Sequence, residues 1–212
     1  AIVDRLRTRD SFRWVAPENV LVTVGGTAAL AAAARTVLDP DDECIVPSPH
    51  WPLIRGILTN AGAHPREVPF SSVLYRAGDT DARTILAPSV TSRTAALYVT
   101  TPNNPDGKVL SPRDLEALAG LAHDHDLWIL ADEAYEAFAY SEPHVSIAGF
   151  AEARVRTLTA LSFSKSCALA GFRLGALVGP KEVIHAARKI ANHTVYNTPE
   201  VLQKRAAELL VS

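Results

Sequence analysis

The chain has 212 residues, 48% of them hydrophobic and 21% charged, with a formal net charge of −2. That length supports one large domain with a substantial core, and the near-neutral balance leaves no electrostatic footprint for nucleic acid or an anionic membrane. No apolar run reaches transmembrane length, no signal peptide opens the chain, and the two cysteines, Cys44 and Cys167, point to a reducing, cytoplasmic setting rather than a disulfide framework.

Residues 1–12 carry Ile2, Val3 and Leu6 at helical spacing among charges, which predicts an amphipathic helix. There is no Met, and the chain opens inside this helical pattern. It reads as an internal piece of a longer protein; removal of an initiator Met before Ala1 is the other reading. Pro17-Glu18-Asn19 is a turn, and 20–24 is a continuous apolar strand of the kind buried on both faces of a parallel sheet. Gly25-Gly26-Thr27 follows, then the Ala-rich run 28–38. A strand, a glycine turn and a helix leave free N–H groups and a positive dipole end, which suit a phosphate. A plain strand–helix turn with Thr27 as N-cap explains the same residues. The stretch matches neither a Walker loop nor the dinucleotide fingerprint.

A second strand, 43–47, ends in Ser48-Pro49-His50-Trp51-Pro52, before a helical run at 53–61. Trp51 there is either core or a platform for a planar ring. A further short strand ends at Val68-Pro69-Phe70, 71–81 is polar and irregular, and 82–90 is helical. Strand 95–100 runs into Thr101-Pro102-Asn103-Asn104-Pro105-Asp106-Gly107. Asn104, Pro105 and Gly107 describe a type I turn. A surface turn accounts for the proline and glycine but not for an Asn pair at a strand end. Ser111-Pro112 starts a helix to about His125. His123 and His125 are two apart, share no helix face, and read as solvated residues rather than metal ligands.

Strand 127–131 ends in Asp132-Glu133-Ala134-Tyr135. A carboxylate at a buried strand end is costly unless it meets a cation, or unless Asp132 caps a helix. Glu133 receives no role. Strand 155–161 runs into Ser162-Phe163-Ser164-Lys165, with Arg173 eight residues beyond the lysine. Only five of the 21 basic residues are lysines, and Lys165 alone lies between a buried-looking strand and an Ala/Gly-rich turn. Partial desolvation there would free its amine as a nucleophile; a snorkelling surface lysine is the alternative. Two hydroxyls, a guanidinium and an amine together suit an aldehyde cofactor bearing a phosphate. Helices at 180–193 and 200–211 close the chain, with no repeats or linkers.

Ser162-x-Ser164-Lys165, followed by Gly171-Phe172-Arg173-Leu174-Gly175, resembles a known lysine motif, S-x-[SA]-K and then G-x-R-x-G. That motif marks the fold-type I pyridoxal-phosphate (PLP) enzymes, specifically the class I/II aminotransferases. The resemblance spans nearly the whole chain in motif order and rough spacing. It implies a three-layer α/β/α fold with a mostly parallel sheet. Residues 1–212 would be the PLP-binding large domain, the family's N-terminal arm and C-terminal small domain lying outside them. Predicted strands ending in polar clusters agree, because open α/β sheets bind ligands beyond the carboxyl ends of their strands.

The implied activity is transfer of an amino group between an amino acid and a 2-keto acid, through a Lys165 Schiff base. Lys165 and Asp132 would be catalytic, with Asp132 on the pyridine nitrogen. Trp51 would stack on the ring, and Asn104 and Tyr135 would bond its phenolic oxygen. Gly26, Thr27, Ala28, Ser162, Ser164 and Arg173 would hold the phosphate. Asp106 stands where the family usually has Thr, with little effect expected on the cofactor. No metal, nucleic acid or membrane is implied. A cytoplasmic homodimer is, with the partner completing the phosphate pocket. The family's substrate-carboxylate arginine lies in the small domain, so the amino acid stays open. Lyases, decarboxylases and cyclases of this fold share these residues. So do aminotransferase-like effector domains of transcription regulators, although no helix-turn-helix or basic patch is present in the 212 residues.

Overall fold

Seven segments, all but the polar edge strand at His64–Pro69 largely apolar, pair into one sheet in the computed structural model, which describes residues 1–76, 80–140 and 143–211. The strands are β1 (Val20–Thr23), β2 (Glu43–Ser48), β3 (His64–Pro69), β4 (Thr94–Thr100), β5 (Trp128–Asp132), β6 (Thr157–Ser162) and β7 (Gly175–Val178). Their order is β1-β7-β6-β5-β4-β2-β3. Pairings among β2 to β6 are parallel, while β7 runs antiparallel to both β6 and β1. The helices are α1 (Ile2–Arg7), α2 (Gly25–Val37), α3 (Leu53–Asn60), α4 (Ser71–Leu74), α5 (Ala82–Leu86), α6 (Pro112–Asp124), α7 (Ala151–Arg154), α8 (Phe163–Ser166), α9 (Lys181–Thr194) and α10 (Glu200–Val211). None among the described residues is long and apolar enough to cross a membrane.

The period-2 alternation of the strands builds two cores. Cys44, Val46, Tyr98 and Leu130 face α2, α3 and α9 on one side. Ile45, Leu97, Val99, Ile129 and Ala131 face α5 and α6 on the other. Burying each such leucine or isoleucine contributes roughly 1.5–3 kcal/mol. A sheet covered on both faces by helices is the three-layer arrangement expected from the sequence.

Several local expectations change. The first helix ends at Arg7, and a 3-10 turn over Asp10–Phe12 replaces the rest of the run. Arg9 between them is extended and turns inward, toward two glutamates described below. The 20–24 strand is apolar, but it is an antiparallel edge strand. A continuous apolar run encodes burial on both faces, not direction. β7 was not anticipated at all: four residues after a glycine-rich turn carry too little pattern. Val155 is exposed, and β6 begins two residues later. The 71–81 stretch contains the short helix α4, while its residues 77–79 lie outside the described residues. The 82–90 helix changes to 3-10 form at Ala87–Ser89. The turn after β4 closes with the Gly107 N–H donating to Asn103 O (2.9 Å), one residue wider than a type I turn from Asn104.

Candidate active site

β4, β5 and β6 all end at the same edge of the sheet, and a cavity of about 340 Å³ opens there. Its size is in the range of small-molecule sites. Thr100 and Asn104 reach it from β4, Asp132, Ala134 and Tyr135 from β5, and Ser162, Ser164 and Lys165 from β6 and α8. Trp51 enters from the segment after β2, and Gly26 and Thr27 from the first turn of α2. Arg173 completes the rim. The cavity therefore gathers every site residue expected from the sequence except Ala28. Ala28 lies in the first turn of α2 but lines a separate cavity between α2 and α9.

α2 reaches the strand ends because glycines let backbones meet. A Cβ on Gly175 would lie 2.6 Å from the Gly25 carbonyl carbon and 2.6 Å from Leu161 O. Gly25 has φ +82, and a Cβ there would lie 2.5 Å from Arg173 Nη2. The helix starts at Gly25 with no side-chain cap, so Thr27 is within its first turn rather than its N-cap. Gly26 has only backbone to offer the cavity. Uncapped first-turn amides favour an anion. Ser162 Oγ accepts from Ser164 N (3.3 Å), and Arg173 Nη1 donates to Ala170 O (3.0 Å) and lies 3.4 Å from Ser164 Oγ. Arg173 holds the left-handed conformation, φ +52, which costs a non-glycine residue roughly 1–2 kcal/mol. Hydroxyls, a guanidinium and amide N–H groups converge on one corner, a donor set suited to a phosphate dianion.

Asp132 is partly buried on the cavity floor. Its Oδ2 accepts from Tyr98 Oη (2.9 Å) and its Oδ1 from Ala134 N (3.1 Å). Burial pushes its carboxyl above the ordinary 3.8; the Tyr98 hydroxyl and Ala134 amide pull it down, and neighbouring Glu133 adds to the rise. Burial, then Asp132, hold the Tyr98 hydroxyl well above 10. Among the described residues no cation faces Asp132, so the site has room for a positively charged partner there. Tyr98 was missed from the sequence: a tyrosine inside an apolar strand reads as core. A buried hydroxyl needs a partner, and that requirement was the available signal. Thr100 pairs with Asp132 across the β4–β5 ladder, so Tyr98 lies one diagonal step away.

Lys165 is exposed at the cavity rim, which corrects the expectation of a desolvated amine. Its Nζ lies 6.0 Å from the centroid of the Tyr135 ring. Asn103 points elsewhere: its Nδ2 donates to Pro49 O (3.0 Å) and Asp106 Oδ1 (2.8 Å), tying the Asn104 turn to the Trp51 segment. Asp106 thus has a turn-holding role and does not line the cavity. His50 turns away, its Nε2 3.3 Å from a Glu67 carboxylate oxygen. His123 and His125 are exposed, and no metal-binding group of side chains occurs among the described residues.

A mostly parallel sheet between helices, with its polar groups beyond the strand ends, is an α/β ligand-binding architecture, and its likeness to solved aminotransferases makes it a PLP-dependent transferase-like fold. The chain belongs to the class I and II aminotransferases, which it matches over residues 1–212. It is 36% identical over 212 residues to the aspartate/prephenate aminotransferase of Thermus thermophilus, covering 100% of this chain and 54% of that protein. An arginine–pyruvate transaminase of Pseudomonas aeruginosa is 35% identical over 209 residues, 99% of this chain and 52% of that one. The Thermotoga maritima aspartate aminotransferase structure is 31% identical, with TM-score 0.89 over 100% of this chain and 55% of that one. The chain spans about half the length of the curated relatives it matches.

Proposed function

We propose that residues 1–212 form the PLP-binding large domain of an aminotransferase that moves an amino group between an amino acid and a 2-keto acid. The observation that carries this reading is one cavity in which Lys165, Asp132 and the anion corner of Gly26, Ser162, Ser164 and Arg173 meet. Those groups fit the amine-reactive carbon, ring nitrogen and phosphate of PLP. Bound there, PLP would supply an electron sink for the pair left when a proton leaves the substrate Cα.

The chain's own residues then have defined tasks. Asp132, with no cation against it among the described residues, would hold the proton on the ring nitrogen. Arg173 would offset the phosphate charge, while the Gly26 and Thr27 amides and the two serine hydroxyls would donate hydrogen bonds to it. Ala28 contributes at most its first-turn amide. Trp51 covers one face of the ring, and Asn104 and Tyr135 orient it through the phenolic oxygen. Lys165 would hold the cofactor through its Nζ and, when free, would be the base that carries the substrate Cα proton. With Arg173 on the phosphate, no second guanidinium lines the cavity among the described residues, so the substrate carboxylate would need a ligand beyond these lining residues. The unpaired Cys44 and Cys167 support a cytoplasmic setting.

The test is the visible spectrum of the PLP-loaded full-length protein, read against a panel of amino acids. At least one should bleach the long-wavelength band and yield its keto acid in one-to-one ratio with the cofactor converted. No response from the whole panel, or release of carbon dioxide or ammonia instead, contradicts transamination.

A further inference from the structure

Glu133 follows Asp132 and turns to the opposite face of the sheet, where it is 2% exposed. Its N–H donates to Ala160 O (3.0 Å), extending the β5–β6 ladder by one residue. Its Oε2 accepts from Arg9 Nη2 at 3.1 Å, and the other nitrogen of the same guanidinium, Nη1, donates to Glu136 Oε2. Glu136 N also donates to Glu133 O (3.2 Å). Arg9 therefore bridges both ends of a four-residue turn, and the two residues between are Ala134 and Tyr135, which line the cavity. The guanidinium is braced over the Phe12 ring, 4.8 Å from its centroid. The neutral-leaning His144, whose pKa burial lowers to about 4, places Nε2 3.2 Å from Glu133 Oε2 and closes the other side.

We propose that Arg9 is a positioning residue for the cofactor site, acting through the turn it bridges to aim Tyr135 toward Lys165; this rests on the PLP reading above. The bridge is stiff because its charges cannot separate cheaply. Burial pushes the Glu133 carboxyl up and Arg9, the cation paired with it among the described residues, pulls it back, so removing Arg9 would leave an uncompensated buried carboxylate beside a second one, a strongly unfavourable arrangement. With Arg9 in place, neither end of the turn can shift without breaking a charge-assisted hydrogen bond. The contact spans more than 120 residues of sequence, joining the segment after α1 to the Asp132 strand end.

The experiment uses the full-length holoenzyme and five forms: parent, Arg9→Met, Arg9→Lys, Tyr135→Phe, and Arg9→Met combined with Tyr135→Phe. Borohydride reduction first checks for a pyridoxyl group on Lys165 of the parent. The visible absorbance of the bound cofactor is then titrated with pH. A tyrosine hydroxyl held at the cofactor oxygen tunes that titration, so Arg9→Met should move the midpoint by about 0.5 pH unit or more, roughly threefold in proton affinity. Arg9→Lys, which keeps a cation, should recover most of the parent midpoint. Relative to Tyr135→Phe alone, adding Arg9→Met should leave the midpoint unchanged. A midpoint unmoved by Arg9→Met overturns the proposal. So does a full shift that persists in the Tyr135→Phe background, which would mean that the cluster acts on Asp132 by charge alone. Should Arg9→Met not fold, Glu136→Ala, which removes the acceptor at one end of the turn and leaves buried Glu133 paired, carries the same comparison. No pyridoxyl adduct in the parent fails the PLP reading and this proposal with it; an adduct with an unmoved titration fails this proposal only.

Discussion

Asp132 has two uncharged partners, the Tyr98 hydroxyl and the Ala134 amide, and burial holds its carboxyl above the ordinary range. An ionised Asp132 is what a cationic ring nitrogen requires. When the pH falls through this raised pKa, PLP must expel a proton from Asp132 in order to bind. Affinity is therefore expected to weaken as pH falls, in a window that begins above the ordinary 3.8. Asp132→Asn should lose that part of the slope and bind PLP more weakly where Asp132 is ionised, the two curves converging as pH falls. A hydrogen bond to a charged group is worth about 2 kcal/mol, or roughly thirtyfold in affinity. Equilibrium dialysis of the full-length apo-protein across pH checks both; parallel slopes in parent and variant would contradict the role. Asp132 and Lys165 were legible in the sequence because Asp132 ends an apolar strand with a charge and Lys165 follows one within three residues. Tyr98 and Arg9 were not. The first is masked by its strand, and the second meets its partners across more than 120 residues.

At the scale of elements, the site depends on α2 reaching the ends of β6 and β7, and Gly175 is where that contact is tightest. A methyl group there meets Gly25 C and Leu161 O at 2.6 Å and Gly26 N at 2.7 Å. All three are backbone atoms, so no side chain can swing aside. Gly175→Ala is expected to destabilise the full-length protein by about 3 kcal/mol or more and to weaken PLP binding by displacing the first turn of α2. Gly171→Ala is the control: nothing lies within 4 Å of its Cβ, and a change within about 0.5 kcal/mol is expected. Urea denaturation of both variants checks this, and equal costs would contradict the packing account. The glycine-turn-helix pattern at 25–38 announced α2 from sequence. The direction of β1 and the existence of β7 were not announced. Antiparallel pairing is a property of two segments more than 150 residues apart, Val20–Thr23 and Gly175–Val178, and leaves no mark in either alone.

At the scale of the whole molecule, the working protein is proposed as a homodimer. Phe138 and Tyr140 support this: they stack edge-on at 6.4 Å just beyond the Tyr135 turn, and Tyr140 is 87% exposed. Neighbouring exposed aromatics belong to a residue type enriched at protein interfaces. Light scattering on the full-length, PLP-loaded protein should give twice the chain mass, and Tyr140→Asp should shift the balance toward monomer. A stable, active monomer would contradict this assembly. The central claim is simpler, namely that Lys165 is the residue that holds the cofactor. Borohydride reduction of the PLP-loaded protein, followed by peptide mass mapping, tests it most directly. The account predicts a pyridoxyl group on Lys165 and none on Lys108, Lys181, Lys189 or Lys204; an adduct on one of those four, or no adduct in protein that has bound PLP, would contradict it.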